Sequence, residues 1–203
     1  MKVVAFNGSP HVSGNTAQAL AVVLNQISAA GIETELIQLG GTPIHGCLGC
    51  RKCIERKDSH CIRNDDHMNE YIDKMRNADG ILIGSPVYTS NVTMETKALI
   101  DRACFVGKAN DFMFRGKIGA PVVVATKSGA NFAYAAINFM FGISQMITIG
   151  SSHWNMALGK NPGDILKDAE GIQTFETLGK NIAWLLRRLH TDGSCRFTQQ
   201  NIY

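Results

Sequence analysis

No stretch of this sequence is apolar for long enough to cross a membrane. The short run Val3-Val4-Ala5-Phe6 ends at Asn7-Gly8, too early for the core of a secretion signal. Charge of one sign is scarce too. The formal net charge is +3 over 203 residues and the basic residues are scattered, which argues against a nucleic-acid surface. Linker-like tracts of Pro, Gly or Ser are missing, as are internal repeats and low-complexity segments. A single domain over residues 1–190 with a polar tail over 191–203 is therefore expected. With 45% hydrophobic and 18% charged residues the composition excludes disorder. These absences describe a soluble, cytoplasmic protein with no nucleic-acid or membrane partner. In a reducing compartment its six cysteines stay free or bind metal rather than form structural disulfides.

Five short apolar runs recur along the chain: Val3 to Phe6, Glu35 to Leu39, Ile81 to Gly84, Pro121 to Thr126 and Met146 to Gly150. They are continuous rather than alternating and rich in Val and Ile, as expected of parallel strands covered on both faces. Between them lie segments of helical spacing. Leu20, Val23, Leu24 and Ile27 follow Thr16, and Met68, Ile72 and Met75 follow a capping pair, Asp65-Asp66. Met94 to Cys104 and Phe132 to Phe141 read as two more helices. A last one carries the stripe Phe175, Leu178, Ile182, Leu185 and Leu189. Repeated βα units of this kind predict an α/β fold, a doubly wound parallel sheet of five strands with helices on both faces.

The first strand leads into Asn7-Gly8-Ser9-Pro10-His11-Val12-Ser13-Gly14-Asn15-Thr16 and then a helix. Backbone N–H groups and the helix dipole favour a phosphate at such a junction. Gly8 and Gly14 allow close approach, while Ser9, Ser13, Asn15 and Thr16 add short donors that suit a monophosphate without a metal ion. No Gly-Lys-Ser/Thr ends the loop and its glycines do not form G-x-G-x-x-G, so it is neither a Walker loop nor a dinucleotide fingerprint. The same residues also suit a plain polar turn in which Ser and Asn serve only as caps.

Together with Ser85-Pro86-Val87-Tyr88-Thr89-Ser90-Asn91 and the later Lys97, Asp101 and Arg102, this loop resembles the NADPH-dependent FMN reductase group of flavodoxin-like proteins over nearly the whole chain. The resemblance implies a flavodoxin-like sheet in the order 2-1-3-4-5, and an FMN whose phosphate rests on Ser9, His11, Ser13, Gly14, Asn15 and Thr16. His11 stands where the group usually has Arg, which removes a permanent positive charge. The resemblance also places Pro86, Val87, Tyr88, Thr89 and Asn91 along the flavin ring, at the crevice beside the first strand where such sheets bind ligands. A third loop, Thr126 to Asn131, closes the site through Thr126 and Gly129. Without the resemblance, Tyr88 is an ordinary amphipathic surface residue. Lys97 and Asp101 form an ordinary i,i+4 helix pair.

A long connection, residues 40–64, separates the second strand from the next helix and holds four of the six cysteines as Cys47-x2-Cys50-x2-Cys53-x7-Cys61. Loops of this length in compact domains are usually functional or disordered. Four soft thiolates so closely spaced suit an iron–sulfur cluster, and Gly46 and Gly49 let the backbone wrap. The motif resembles that of the iron–sulfur flavoproteins, a branch of the same group that carries a 4Fe-4S cluster there. Two alternatives stay open: a structural zinc, and a cluster-free loop acting as a lid or oligomer contact. Arg51, Lys52, Arg56 and Lys57 offset cluster charge, attract an acidic donor or simply solvate the loop. His45 and His60 flank the motif without needing to ligate. Cys104, on a helix, and Cys195, in the tail, read as structural.

The expected function is that of an FMN-dependent oxidoreductase, an electron-transfer iron–sulfur flavoprotein passing electrons between a donor, a 4Fe-4S cluster and FMN. NAD(P)H or a ferredoxin-like protein would be the donor. No side-chain base or nucleophile is evident and none is required, since the flavin performs the chemistry. The alternatives are a cluster-free NAD(P)H-dependent reductase of FMN, quinones or nitro compounds, and a nonenzymatic flavin- or metal-binding regulatory module. The resemblance also implies a homodimer or homotetramer.

Overall fold

The computed structural model describes residues 1–191, so the expected tail, apart from Thr191, and Cys195 with it lie outside the described residues. Along the chain run β1 (Lys2–Asn7), α1 (Asn15–Ala29), β2 (Glu33–Gln38), α2 (Lys52–Arg56), α3 (Met68–Asn77) and β3 (Gly80–Pro86). There follow α4 (Met94–Ala109), β4 (Ile118–Ala125), α5 (Ala130–Ile143), β5 (Ile147–Thr148), β6 (Met156–Leu158), a 3-10 turn (Asp164–Lys167) and α6 (Ala169–Thr191). The sheet is parallel, in the order β2-β1-β3-β4-β5, with β6 also paired to β4.

Burial explains why the central strands read as continuous apolar runs. β1 lies between β2 and β3, and Val3, Val4, Ala5 and Phe6 are all fully buried because helices cover both faces. On one face α1 and α6 pack Leu20, Val23 and Ile27 against Phe175, Leu178 and Ile182. On the other α3, α4 and α5 contribute Met68, Ile72, Leu99, Ala103, Ile137 and Phe141. The edge strand β2 buries Ile37 alone, and its exposed side binds charge: Glu35 pairs with Lys2 at 2.9 Å and with Lys74 at 2.5 Å. The N-cap of α3 is His67 rather than the expected Asp65-Asp66 pair, and from the position before it the Asp66 carboxylate accepts the Met68 N–H at 3.1 Å. The α6 stripe is rotated from the expected one. Leu186 is fully buried, whereas Leu185 and Leu189 pack at the margin.

The fifth sheet position differs from the expected strand, Met146 to Gly150. β3 already occupies the other edge of β4, so two short strands share the remaining edge. β5 pairs with Ile118 and Gly119, and β6 with Val123, Val124 and Ala125. Between them the chain leaves the sheet and returns through Asn155, which is fully buried and accepts from the Ser151 hydroxyl at 2.7 Å. A three-residue Met-Ala-Leu strand has no period of its own, so tertiary pairing alone reveals it.

β1 ends in a close approach. The Gly8 N–H donates to the Gly84 carbonyl at 2.8 Å, and a Cβ at Gly8 would sit 1.9 Å from Thr96 Oγ1 and 2.8 Å from Gly84 O. Gly8→Ala should therefore force the loop off β3 and destabilise the protein by about 1–3 kcal/mol, as overpacking does. Urea unfolding of the variant against wild type measures this.

Candidate functional site

Three loops leave the carboxyl ends of β1, β3 and β4, neighbouring parallel strands, and so gather at one end of the sheet where the strand order reverses. Buried polar contacts join them. The Thr93 hydroxyl donates to the Gly8 carbonyl at 2.8 Å and the Thr93 N–H to Ser85 Oγ at 3.2 Å. The same hydroxyl caps α4 by accepting from Thr96 N. Val87 N–H reaches the Val124 carbonyl at 3.0 Å, tying the second loop to β4.

The first loop is shaped from within. Asn7 Oδ1 accepts the Ser9 N–H at 3.2 Å, and Ser9 Oγ accepts the His11 N–H at 3.2 Å. The His11 carbonyl takes the Gly14 N–H at 3.1 Å, closing the turn. Gln38 at the end of β2 braces the loop, its amide donating to the Ser9 carbonyl at 2.7 Å. α1 then starts at Gly14 in extended conformation with no side-chain cap, so no side chain covers its first N–H groups. Ser9 and Thr16 are buried at this end, and His11 and Ser13 are exposed. Asn15 departs from its expected role. Its side-chain amide donates to the Asn161 carbonyl at 2.8 Å and accepts the Ile165 N–H at 3.3 Å, so it anchors the loop after β6.

The second loop is a tight turn. Tyr88 and Asn91 exchange backbone hydrogen bonds of 2.8 and 3.0 Å around Thr89 and Ser90, whose φ values of 48° and 59° are left-handed. Two non-glycine residues in that region cost about 1–3 kcal/mol each, a strain concentrated at functional sites. Pro86 stiffens the approach. Val87 and Tyr88 spend their backbone N–H groups on the fold, and Tyr88 presents a half-exposed ring. The third loop closes on this turn: a Cβ at Gly129, where φ is 84°, would meet Ser90 Oγ at 2.7 Å. Thr126 and Ser128 are exposed beside it. A cleft of about 360 Å³ opens next to this loop, lined among others by Lys127, Ser128, Asn131, His153 and Asp168.

The cysteine loop forms a second centre. Cys47, Cys50, Cys53 and Cys61 all line one cavity of about 240 Å³, walled by Leu48, Ile62, Phe105 and Val106. The unexpected helix α2 holds Cys53 and lies between two left-handed residues, Arg51 and Lys57. Gly49 is left-handed as well, at φ 65°, whereas Gly46 has no such conformation. Asn69 on α3 fixes Cys61 by accepting its N–H at 2.8 Å and donating to its carbonyl at 3.0 Å. Burial pushes the Cys53 thiol up. A single zinc ion would draw four thiolates to about 3.8 Å of one another. Among the described residues, no three His, Cys, Asp or Glu side chains are grouped to hold one ion. The flanking charges are used locally: Lys52 pairs with Glu55, Arg56 with Asp58, and His60 with Asp73 at 3.0 Å. Cys104 lies outside the cavity, half-buried against the core, its thiol pushed up by burial. Lys97 and Asp101 form the ordinary exposed i,i+4 pair.

Both ends of this loop meet at Arg102 of α4. Its guanidinium donates to the His45 and Arg63 carbonyls, each at 3.0 Å, and to the Asp66 carboxylate, with both side chains of the ion pair fully buried. No sequence signal marked Asp66 for this pairing, because the partners are 36 positions apart. Burial alone would raise the Asp66 carboxyl, but the bonds from Arg102, His45 N–H and Met68 N–H outweigh it and hold the carboxyl below its ordinary value. Asp66→Ala should cost about 3–5 kcal/mol in urea unfolding, since it strands a buried cation. A carboxyl with a lowered folded pKa stabilises above its unfolded value, about 4, and that contribution disappears as pH falls through the folded value. The stability gap between wild type and Asp66→Asn should accordingly shrink below about pH 4.

The family profile described as NADPH-dependent FMN reductase matches residues 1–161. An iron-sulfur flavoprotein of Methanocaldococcus jannaschii is 36% identical over 196 residues, covering 92% of this chain and 98% of its own length. One of Methanosarcina thermophila is 29% identical over 188 residues, covering 92% and 95%. Among solved structures, an archaeal flavodoxin superposes with a TM-score of 0.61 at 19% identity, covering 92% of this chain and 99% of its own. A flavone reductase does so with 0.67 at 17%, covering 94% and 65%; both establish the fold. The family match over residues 1–161 and the likeness to iron-sulfur flavoproteins over nearly the whole chain establish that it belongs to the NADPH-dependent FMN reductase family, as an FMN-dependent oxidoreductase.

Proposed function

We propose that this protein is an iron–sulfur flavoprotein in which electrons pass between a donor, a 4Fe-4S cluster on Cys47, Cys50, Cys53 and Cys61, and FMN seated on the three loops. The observation that carries the reading is that four thiols surround one cavity on the flank of α4, the helix that begins at the flavin loops. FMN exchanges electrons in pairs or singly and the cluster passes them singly. Spread around a space rather than grouped at a point, the thiols suit a multi-iron group better than zinc.

The chain's own residues bind and orient. The uncapped N–H groups of α1, together with Ser9, Ser13 and Thr16, would hold the FMN phosphate, and Gly14, whose N–H is spent on the His11 carbonyl, would allow its close approach; Asn15 would contribute its backbone, its side chain being committed to the loop after β6. His11 would add an imidazole where the family's usual Arg adds a guanidinium. Pro86, Val87, Tyr88, Thr89 and Asn91 would flank the ring, with Thr126 and Gly129 closing over it. Over the nine residues from Thr93 to Arg102, α4 rises about 14 Å, so one rigid helix spans the two centres.

The cleft beside the third loop supports a second reading, in which NAD(P)H reduces the flavin directly; about 360 Å³ is within the range of small-molecule sites. For an assembled state, a homodimer or homotetramer, the support is the exposed apolar face of α5, where Phe132, Phe139 and Ile143 are 66%, 75% and 52% exposed. Among the described residues no helix is long and apolar enough to cross a membrane.

Anaerobically purified and reconstituted protein should contain FMN, iron and acid-labile sulfide. Serine at any of the four cavity cysteines should at least halve the iron per chain and leave FMN in place, because a hard hydroxyl replaces a soft thiolate poorly. Cys104→Ser should change neither. Full FMN without iron in wild type would favour the cluster-free reductase, and rapid flavin reduction by NADPH would then identify the donor.

A further inference from the structure

Arg102 is placed to do more than clasp a loop. Arg102 lines the cysteine cavity, and the residue is 1% exposed. His45 O, Asp66 and Arg63 O satisfy Nη1 and Nη2, but the buried Nε–H has no acceptor among the protein atoms. Buried donors without partners are uncommon in native structures and ask for an explanation. Arg51 also lines the cavity but is exposed, and solvent screens it.

We propose that the Arg102 Nε–H donates to the thiolate-bound group in this cavity, and that its buried charge favours that group's more reduced state. The inference rests on the cluster reading above. A four-iron group on four thiolates is anionic, and an electron from an external reductant such as dithionite adds one negative charge without making or breaking a bond. Arg102 is itself buried, so its attraction is screened less than that of an exposed charge, and the more negative form gains more from the guanidinium. Asp66 opposes this effect from farther away, since it contacts Arg102 but does not line the cavity.

Two variants separate electrostatics from architecture. D66N keeps an acceptor for the clasp and leaves the Arg102 charge unopposed; R102Q/D66N makes both sites neutral and polar, so no buried charge is stranded. Iron per chain and the cluster midpoint potential, from an anaerobic dye-coupled dithionite titration, are measured for both and for wild type. The expected order is D66N above wild type and R102Q/D66N below it. A purely architectural role would lower iron without moving the potentials in opposite directions. Either variant that retains iron decides the matter against wild type. If neither retains iron, the charge proposal is overturned in favour of the architectural role. Equal potentials at full iron overturn this inference alone, and wild type that binds FMN but no iron or sulfide overturns the cluster reading with it.

Discussion

Thr93 donates to the Gly8 carbonyl, and nine residues further along the same helix Arg102 donates to the carbonyls of His45 and Arg63. Both residues are buried, so neither set of bonds competes with water, and losing either leaves polar groups unsatisfied. α4 is thereby pinned to the loop after β1 at its start and to the cysteine loop at its middle. The geometry relating the two centres depends on this double attachment.

The cysteine loop shows why such a clasp is needed. Its short helix has no buried residue, and its backbone turns through left-handed conformations at Gly49, Arg51, Lys57 and Ser59. A segment of this kind has little apolar surface of its own to offset conformational entropy and strain. The buried Arg102–Asp66 pair and the Asn69 bonds to Cys61 supply what the loop lacks, from α3 and α4, which the sheet already holds. A buried ion pair adds little net stability over apolar packing, but it restrains register. Here that restraint falls on the residues that position the cysteines.

Much of the fold was legible because its pattern is local. Strands covered on both faces must be apolar without alternation, and helices between them must carry one stripe, so β1, β3, β4, α1 and α3 follow from spacing. The divided edge at β5 and β6 was not legible, since pairing with β4, rather than any property of Met156-Ala157-Leu158, makes it a strand. α6 was legible as a helix but its facing was not: Leu186 rather than Leu185 turns inward, a choice set by what α1 presents.

The same division runs through the candidate site. By itself the sequence determined the glycine-rich exit from β1, the stiff turn after β3 and the four-cysteine spacing, because each needs particular residue types close together in the chain. Only the tertiary structure decided that Asn15 binds the loop at Asn161 and Ile165, that Val87 spends its N–H on β4, and that Arg102 and Asp66 close the cysteine loop. Those pairings join residues 36 to 150 positions apart. Hydrogen-bond capacity can be read from a residue's type, but which partner satisfies it depends on what folding brings within about 3 Å.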